Sequence, residues 1–283
     1  MTGTILNLDF GKYVVYAQEQ IFSCHLRKTD KLPLKPVVGD HVEFDESLSM
    51  ITQIHPRQTF IKRPRVSNLT DLIIVTSLVE PQYSFFLLAK FISFGRFYNL
   101  NITNIITKID EGNLEDIHQD ITYLKHHGFR VIYFDKNQPD TQALLSLISP
   151  KKVIAFAGQT GVGKSTIINT LNPLFSRQIG SYSDALGRGK HQTKEVVLLP
   201  FLGGLIADTP GFSSLELPML QQDLAKVFPG FEHQFSKCKF FNCTHQHEPD
   251  CQILQQVKNG KIPLEIYQDY LKMLIALPTQ KEY

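Results

Sequence analysis

The spacing of hydrophobic residues divides the chain into stretches of different secondary structure. Up to about residue 60, the hydrophobic positions form short, partly alternating runs rich in β-branched and aromatic residues, which is typical of half-buried strands. Turn-forming glycines and prolines separate these runs. The pattern predicts a small barrel such as an OB-fold, although an SH3-like barrel or a simple meander would give the same pattern. We expect its strands at residues 4–8, 12–16, 20–26, 40–44 and 50–54.

From Asp71 onward, short apolar runs alternate with segments of helical spacing, which predicts a mostly parallel, doubly wound α/β sheet. One predicted helix has Asn113 as its N-cap and ends at Gly128. Its apolar face consists of Leu114, Ile117, Ile121 and Leu124. After Leu217 the pattern is mostly helical. The predicted strands of the α/β region are residues 72–76, 102–107, 129–134, 152–157 and 203–207.

These changes of pattern predict three domains: a β-barrel at residues 1–65, an α/β domain at 66–217 and a helical domain at 218–283. The chain has 283 residues, a net charge of +2 and 42% hydrophobic residues, which is the composition of an ordinary globular protein. This charge neither requires nor excludes a nucleic-acid partner. The sequence shows no signal-peptide pattern and no apolar run that could span a membrane, so we expect a cytoplasmic protein without a membrane partner. We also expect the protein to be a monomer.

Residues 158–166 read GQTGVGKST, which is a complete G-x-x-x-x-G-K-[ST] phosphate-binding loop. Its glycines let successive backbone N–H groups point at phosphate oxygens, Lys164 reaches the β- and γ-phosphates, and the Ser165 hydroxyl ligates Mg²⁺. An apolar strand precedes the loop and a helix follows it, so the helix N-terminus faces the anion. The predicted nucleotide contacts in this loop are Gly158, Gln159, Thr160, Gly161, Val162, Gly163, Lys164, Ser165 and Thr166.

Two further segments complete the predicted triphosphate site. Asp208-Thr-Pro-Gly211 ends an apolar strand, where Asp208 can hold Mg²⁺ and the Gly211 N–H can approach the γ-phosphate. Residues 187–194 have no hydrophobic period and read as a mobile switch loop, in which Thr193 could present its hydroxyl to Mg²⁺. A turn and a solvated surface loop are the alternative interpretations of these two segments.

Thr107-Lys108-Ile-Asp110 follows a predicted strand and has the T/N-K-x-D form of a guanine-binding motif. The Asp110 carboxylate can accept hydrogen bonds from the ring N–H and exocyclic amine of guanine, and the Lys108 stem can cover the base. This motif precedes the phosphate loop, whereas in ordinary GTPases it follows. The order indicates a circularly permuted GTPase domain, with the switch segments leading directly into the C-terminal domain.

The C-terminal region contains the spacing Cys-x₄-Cys-x-His-x₅-Cys. Three thiolates and one imidazole form a closed, tetrahedral set of ligands for one structural Zn²⁺. His247 is a competing ligand, and we prefer His245. The predicted zinc ligands are Cys238, Cys243, His245 and Cys251.

Basic residues occur in two groups, which could form an RNA surface together with a barrel of OB type and a zinc knuckle. Ordinary solvated charge is the alternative interpretation. The residues are Arg57, Lys62, Arg63 and Arg65 in one group, and Arg188, Lys190 and Lys194 in the other.

These motifs together resemble the circularly permuted GTPases of small ribosomal subunit biogenesis, the RsgA family, over nearly the whole chain. The resemblance implies a GTP hydrolase that binds GTP and GDP, contacts the small ribosomal subunit and its rRNA late in assembly, and is stimulated by that subunit. The chain departs from the family pattern in three places: Thr107 replaces the usual Asn, residues 191–194 replace a threonine-rich switch, and residues 134–136 replace a Ser-Ala-Lys-like loop. The segments that carry the resemblance are residues 38–40, 54–57, 107–110, 158–166, 187–191, 208–212 and 238–251.

The predicted reaction is in-line attack of water on the γ-phosphate, with Lys164, Ser165 and Thr193 stabilising charge directly or through Mg²⁺. Phe212 stands where Ras-like enzymes carry a water-orienting Gln, so hydrolysis should be slow alone. His191 or a group of the ribosome could orient the water. Two other functions fit the sequence: an RNA-binding assembly factor that uses nucleotide only as a conformational lock, and a P-loop ATPase or kinase.

Overall fold

A computed structural model describes residues 1–9, 11–26, 34–171, 196–208, 212 and 215–279. The chain divides into two compact units. The first contains residues 1–72, 139–156 and 164–213, and the second contains residues 73–138, 157–163 and 214–283. Within the described residues, every helix is too short or too polar to cross a membrane.

The first unit begins with a five-stranded antiparallel sheet of order β3-β2-β1-β4-β5. His25 bridges Met50 in parallel, donating from its backbone N to Ser49 O at 2.8 Å, which connects the two edges of the sheet. A simple meander would keep neighbouring strands in sequence order, so this order favours the OB-type barrel. The strands are β1 (Thr2–Asp9), β2 (Lys12–Ala17), β3 (Gln20–Cys24), β4 (His41–Asp45) and β5 (Met50–Ile54).

A buried ion pair fixes the chain just before β4. The Asp40 side chain is 0% exposed and accepts from Arg57 Nε at 2.7 Å and Arg57 Nη2 at 2.8 Å. Ser67 Oγ and the Val37 N–H also donate to this carboxylate. Arg57 is therefore committed to the interior, and its assignment to an exposed RNA surface was wrong. The sequence could not show this, because two strands, β4 and β5, separate Asp40 from Arg57 along the chain.

A two-stranded hairpin, β6 (Phe60–Lys62) and β7 (Arg65–Ser67), follows the barrel. A six-stranded sheet has the order β10-β9-β8-β11-β13-β12. The pairs β9–β10 and β11–β13 are parallel, as the alternating pattern predicted. The strands of this six-stranded sheet are β8 (Asp71–Ser77), β9 (Asn101–Thr107), β10 (Arg130–Phe134), β11 (Val153–Ala157), β12 (Val197–Phe201) and β13 (Gly204–Asp208).

Strand β12 is absent from the sequence-based prediction. It pairs antiparallel with β13 through a two-residue turn at Leu202-Gly203, where both φ angles are positive, at 47° and 77°. This turn geometry joins adjacent antiparallel strands. The sheet is therefore mostly parallel with an antiparallel edge, which is common in doubly wound folds.

The helix predicted after Asn113 is divided in two. Asn113 accepts from the Glu115 N–H at 3.1 Å and begins a 3₁₀ turn, Leu114–Ile117, before the α-helix starts. Because a 3₁₀ turn has a different period, Leu114 leaves the apolar face and is 37% exposed. The α-helices are α1 (Phe85–Phe97), α2 (His118–His126), α3 (Thr141–Leu145), α4 (Lys164–Leu171), α5 (Gln221–Val227), α6 (Gln252–Lys258) and α7 (Leu264–Ile275).

The C-terminal helices surround an aromatic core in the second unit. Phe228, Phe231 and Tyr270 are buried, and their ring centroids lie 4.7 to 5.3 Å apart. Arg96 on α1 pairs with Glu232 at 2.7 Å, with both side chains mostly buried. The three rings form a hydrophobic core for the region after Leu217, which was predicted to be mostly helical, and the ion pair joins α1 to this region.

Candidate nucleotide site and metal centre

The phosphate-binding loop follows β11, whose residues are all buried, and α4 begins at Lys164. Gly158, Gly161 and Gly163 have φ angles of 137°, 86° and 95°, which side-chain-bearing residues rarely adopt. A Cβ on Gly158 would lie 2.1 Å from the Val75 carbonyl oxygen, so only glycine fits there. The backbone therefore has the curled conformation that directs N–H groups toward an anion.

The start of α4 supplies the charged and hydroxyl groups of this loop. The side chains of Ser165 and Thr166 are exposed, whereas Ile167 is fully buried and anchors the helix. Burial lowers the pKa of Lys164. An anion beside this ammonium group would favour its charged form, which matches a phosphate ligand.

Thr107 connects the end of β9 to the phosphate loop. Its side chain is buried, and Oγ1 donates to the Val162 carbonyl oxygen at 2.7 Å. A Cβ on Gly163 would lie 3.7 Å from Thr107 Cγ2. The motif with the base-reading pattern and the loop with the phosphate-binding pattern are therefore in direct contact, although more than fifty residues separate them.

Asp110 lies among polar groups at the end of the same strand. Its Oδ2 accepts from Asn137 Nδ2 at 3.0 Å and lies 3.5 Å from Lys136 Nζ. A hydrogen bond to Glu111, assisted by the charge of Asp110, raises the pKa of Lys136. Lys108 Nζ donates to the Glu80 carbonyl oxygen. Sequence reasoning missed Asn137, which directly follows the residues 134–136 that replace the Ser-Ala-Lys-like loop of the family.

Three of the remaining predicted ligands lie outside the part of the chain that the structure describes. His191, Thr193 and Gly211 lie outside the described residues, as does the whole loop 187–194. Asp208 ends β13, where its backbone is paired with Val197. Phe212 is fully buried, and it has no polar side-chain group that could orient a water molecule.

The second site lies after α5, where the structure brings the predicted cysteines and histidine together. Cys238 Sγ lies 3.5 Å from His245 Nδ1 and 3.9 Å from Cys251 Sγ, and all four ligand atoms fall within 4.8 Å of one another. Cys243 completes the group, and His247 is not part of it. This set of donors matches a closed, tetrahedral metal site.

Neighbouring side chains hold the loop of this metal site in place. Tyr267 Oη donates to the His245 carbonyl oxygen at 2.8 Å, and Tyr270 Oη donates to the Thr244 carbonyl oxygen at 3.0 Å. Glu248 accepts hydrogen bonds from Thr244, Gln246 and His247. Burial acts to raise the pKa of Glu248, but hydrogen bonds that include those from Thr244 and Gln246 lower it to about 2. The sequence analysis did not predict these hydroxyl contacts of the two tyrosines on α7.

A phosphate loop on a parallel sheet, a T-K-x-D motif that precedes it in sequence and a following Cys₃His module define a P-loop nucleotide-binding protein of permuted order. Residues 54–218 match the profile of the RsgA GTPase family. The chain belongs to this family.

Individual relatives match over nearly the full length. The small ribosomal subunit biogenesis GTPase RsgA of Mycoplasmopsis pulmonis is 41% identical over 97% of this chain and 98% of its own. The protein of the same name from Malacoplasma penetrans is 40% identical over 83% of this chain and 84% of its own.

Two solved structures share the fold. YjeQ from Thermotoga maritima superposes with a TM-score of 0.82 at 26% identity and covers 99% of both chains. YloQ, described as a circularly permuted GTPase, superposes with a TM-score of 0.80 at 27% identity and covers 100% of this chain and 96% of its own.

Proposed function

We propose that this chain hydrolyses GTP to GDP and phosphate and acts in a late step of small ribosomal subunit assembly. The observation that carries the proposal is the direct bond from Thr107 to Val162, which joins a guanine-reading motif to a phosphate loop. Membership of the RsgA GTPase family and the names of the relatives support the same activity and partner.

In this proposal, the loop of residues 158–166 binds the phosphates. Its backbone N–H groups and the Lys164 ammonium group neutralise the charge that develops on the γ-phosphate. Mg²⁺ bound with GTP would supply further charge stabilisation. Ser165, Thr193 and Asp208 would hold that ion, and Gly211 would donate its N–H to the γ-phosphate.

Guanine would bind at the end of β9. The Asp110 carboxylate would accept two hydrogen bonds from guanine, which adenine cannot offer. Lys108 would cover the base with its aliphatic stem. Thr107, which hydrogen-bonds to the loop, would keep the base site and phosphate site at a fixed spacing. Asn137 already donates to Asp110, so it would help to orient that carboxylate toward the base.

Basal hydrolysis should be slow, because Phe212 is apolar and buried. The group that orients the attacking water would then be His191 or a group supplied by the ribosomal subunit. If the ribosomal subunit supplies this group, GTP turnover depends on correct docking of the protein on the subunit, as expected for an assembly checkpoint.

We also propose that Cys238, Cys243, His245 and Cys251 bind one structural Zn²⁺. The four ligand atoms are already close enough to surround one ion, and the set leaves no position open for catalysis. Zinc would cross-link a segment that has little regular secondary structure between the 3₁₀ turn Phe235–Lys237 and α6. The metal would therefore stabilise the fold rather than take part in hydrolysis.

The proposed domains are the barrel at residues 1–65, the permuted GTPase domain at 66–217 and the zinc domain at 218–283. The barrel and the zinc domain would contact rRNA, since OB-type barrels and zinc knuckles are common RNA-binding modules. We further propose that the protein acts as a monomer in the cytoplasm and binds no membrane.

The test is GTP turnover with and without purified small ribosomal subunits, with ATP measured alongside. We expect slow basal hydrolysis, strong stimulation by the subunit and no comparable ATP hydrolysis. Lys164→Ala should abolish stimulated turnover. Lys151→Ala, which removes an exposed lysine just before β11, should retain it.

The alternative functions give different results. Equal use of ATP would support a P-loop ATPase. Stoichiometric subunit binding that needs GTP but shows no stimulated turnover would support a conformational lock. Unchanged turnover in Lys164→Ala would overturn the assignment of the phosphate site.

A further inference from the structure

A cavity of about 820 Å³ lies within the second unit, away from the phosphate loop in sequence. One wall is α2 together with the residue that caps it, and Tyr123 and His127 lie on this wall. The other walls are residues 230–237, α6 and residues 260–263. Its volume is within the range of about 300–1,000 Å³ that is usual for ligand pockets. The proposed hydrolysis of GTP gives this cavity no role.

The polar groups around the cavity are amides and cations. The described residues that line it include four glutamines and two lysines, but no carboxylate: Gln119, Gln234, Gln252, Gln256, Lys237 and Lys261. Carboxylates and basic residues are almost equally frequent in the whole chain, at 27 and 29, so this local composition favours an anionic ligand.

Three of these amides are half-buried. The side chains of Gln234, Gln252 and Gln256 make no hydrogen bond to any other residue that the structure describes. Each amide offers both donors and an acceptor, which is the combination needed to pair with the polar edge of a nucleobase. The lysine side chains at the rim, Lys237 and Lys261, are exposed, where they can meet phosphate groups.

The wall formed by α2 provides flat rings. The rings of Tyr123 and His127 are 4.5 Å apart between centroids. Tyr123 is fixed because its hydroxyl donates to the Pro229 carbonyl oxygen at 3.1 Å. Gly230 permits this contact, since a Cβ there would lie 1.9 Å from Tyr123 Oη. Burial lowers the pKa of His127, so its ring is neutral near pH 7 and suited to stacking.

We propose that this cavity binds one unpaired nucleotide of RNA. The base would lie against the rings of Tyr123 and His127, its edge would bind the glutamine amides, and its flanking phosphates would bind Lys237 and Lys261. Unpaired RNA is commonly recognised by stacking on aromatic or histidine rings combined with hydrogen bonds to base edges. The inference rests on the proposed function, since it assigns part of the contact with rRNA to this cavity.

The test uses an oligouridylate of about eight nucleotides that carries a 4-thiouridine, in the length range of single-strand binding sites. Irradiation of the full-length protein with this probe should produce a crosslink, and mass spectrometry should locate it in α2 or in residues 230–263. Double-stranded RNA and free UMP are compared as competitors. A crosslink confined to the N-terminal barrel would overturn the proposal, as would full competition by duplex RNA.

Two pairs of variants test the individual contacts. Gln256→Leu should weaken oligouridylate binding by about two- to tenfold, the effect of losing one net hydrogen bond. Gln255→Leu, at the exposed neighbouring position of α6 outside the cavity, should leave binding unchanged. Lys261→Gln should reduce the slope of the logarithm of the binding constant against the logarithm of the salt concentration by about 0.7, the effect of losing one phosphate contact. Lys258→Gln should leave this slope unchanged.

The pairs also separate this inference from the proposed function. Each variant should bind GDP like the wild type, which shows that it is folded. If the cavity variant and the control variant of each pair changed oligouridylate binding equally, while the ribosomal subunit still stimulated GTPase activity, the cavity assignment alone would be overturned. If the ribosomal subunit did not stimulate the GTPase activity of the wild-type protein, the proposed function would be overturned instead. Competition by free UMP equal to that by the oligonucleotide would assign the cavity to a free nucleotide and overturn the RNA assignment.

Discussion

The bond between Thr107 and the phosphate loop gives a direct test of how the two halves of the nucleotide site are coupled. In Thr107→Val, a methyl group replaces the hydroxyl group that donates to the Val162 carbonyl oxygen at 2.7 Å. The side-chain shape is nearly kept, so the change removes one donor and leaves a buried acceptor without it. Leaving such an acceptor unsatisfied costs about 1–3 kcal/mol.

This cost should appear in nucleotide affinity, because bound phosphates need the Val162-Gly163 segment in its present conformation. Since about 1.4 kcal/mol corresponds to a tenfold change, the dissociation constant for GDP should rise by about 5- to 150-fold. The assay is titration with a fluorescent GDP analogue, with urea unfolding as a check on the fold.

Thr103→Val is the matched control, since Thr103 lies on the same strand and its hydroxyl makes no hydrogen bond to any residue that the structure describes. We expect this variant to bind GDP like the wild type. If Thr107→Val and Thr103→Val bound GDP equally well, the bond to Val162 would not support the nucleotide site, and the reasoning above would be refuted.

Three further predictions follow from buried or clustered charges. Arg57→Met leaves the buried Asp40 carboxylate without its cation, so it should lower the free energy of unfolding, measured in urea, by about 3–5 kcal/mol. Arg65→Met, at an exposed position, should change this free energy by less than about 0.5 kcal/mol. Equal effects of the two variants would contradict the burial argument. Burial raises the pKa of Asp120 to about 6, so the folded state holds a proton that the unfolded state releases near pH 4, and thermal stability should fall as pH rises through this window. Asp120→Asn should remove that fall, and an unchanged pH profile would speak against it. His245→Ala should lose bound zinc in elemental analysis while His247→Ala retains one equivalent, and zinc retention by both would exclude His245 as a ligand.

Much of the candidate site was predictable because its chemistry depends on short spacings. The phosphate loop needs its glycines, lysine and hydroxyl within nine consecutive positions, and the structure shows the three glycines at positive φ. The Cys₃His group also lies within fourteen positions, so the sequence could name all four members and prefer His245 over His247. The apolar runs likewise predicted the barrel strands and the parallel sheet, because the spacing of apolar residues in a strand or helix depends on which of its own faces is buried.

The tertiary structure decided what depends on residues far apart in sequence. The order of strands and the bridge from His25 to Met50 favour an OB-type barrel over a meander, a choice that local pattern leaves open. The sequence alone assigns Arg57 to a charged surface, whereas the structure shows it paired with the buried Asp40 carboxylate. In the sequence, Thr107 is only a departure from the usual Asn, whereas in the structure its hydroxyl donates to the Val162 carbonyl oxygen. Hydrophobic spacing records the burial of single elements, whereas ion pairs and buried hydrogen bonds depend on where the folded chain brings two distant segments together.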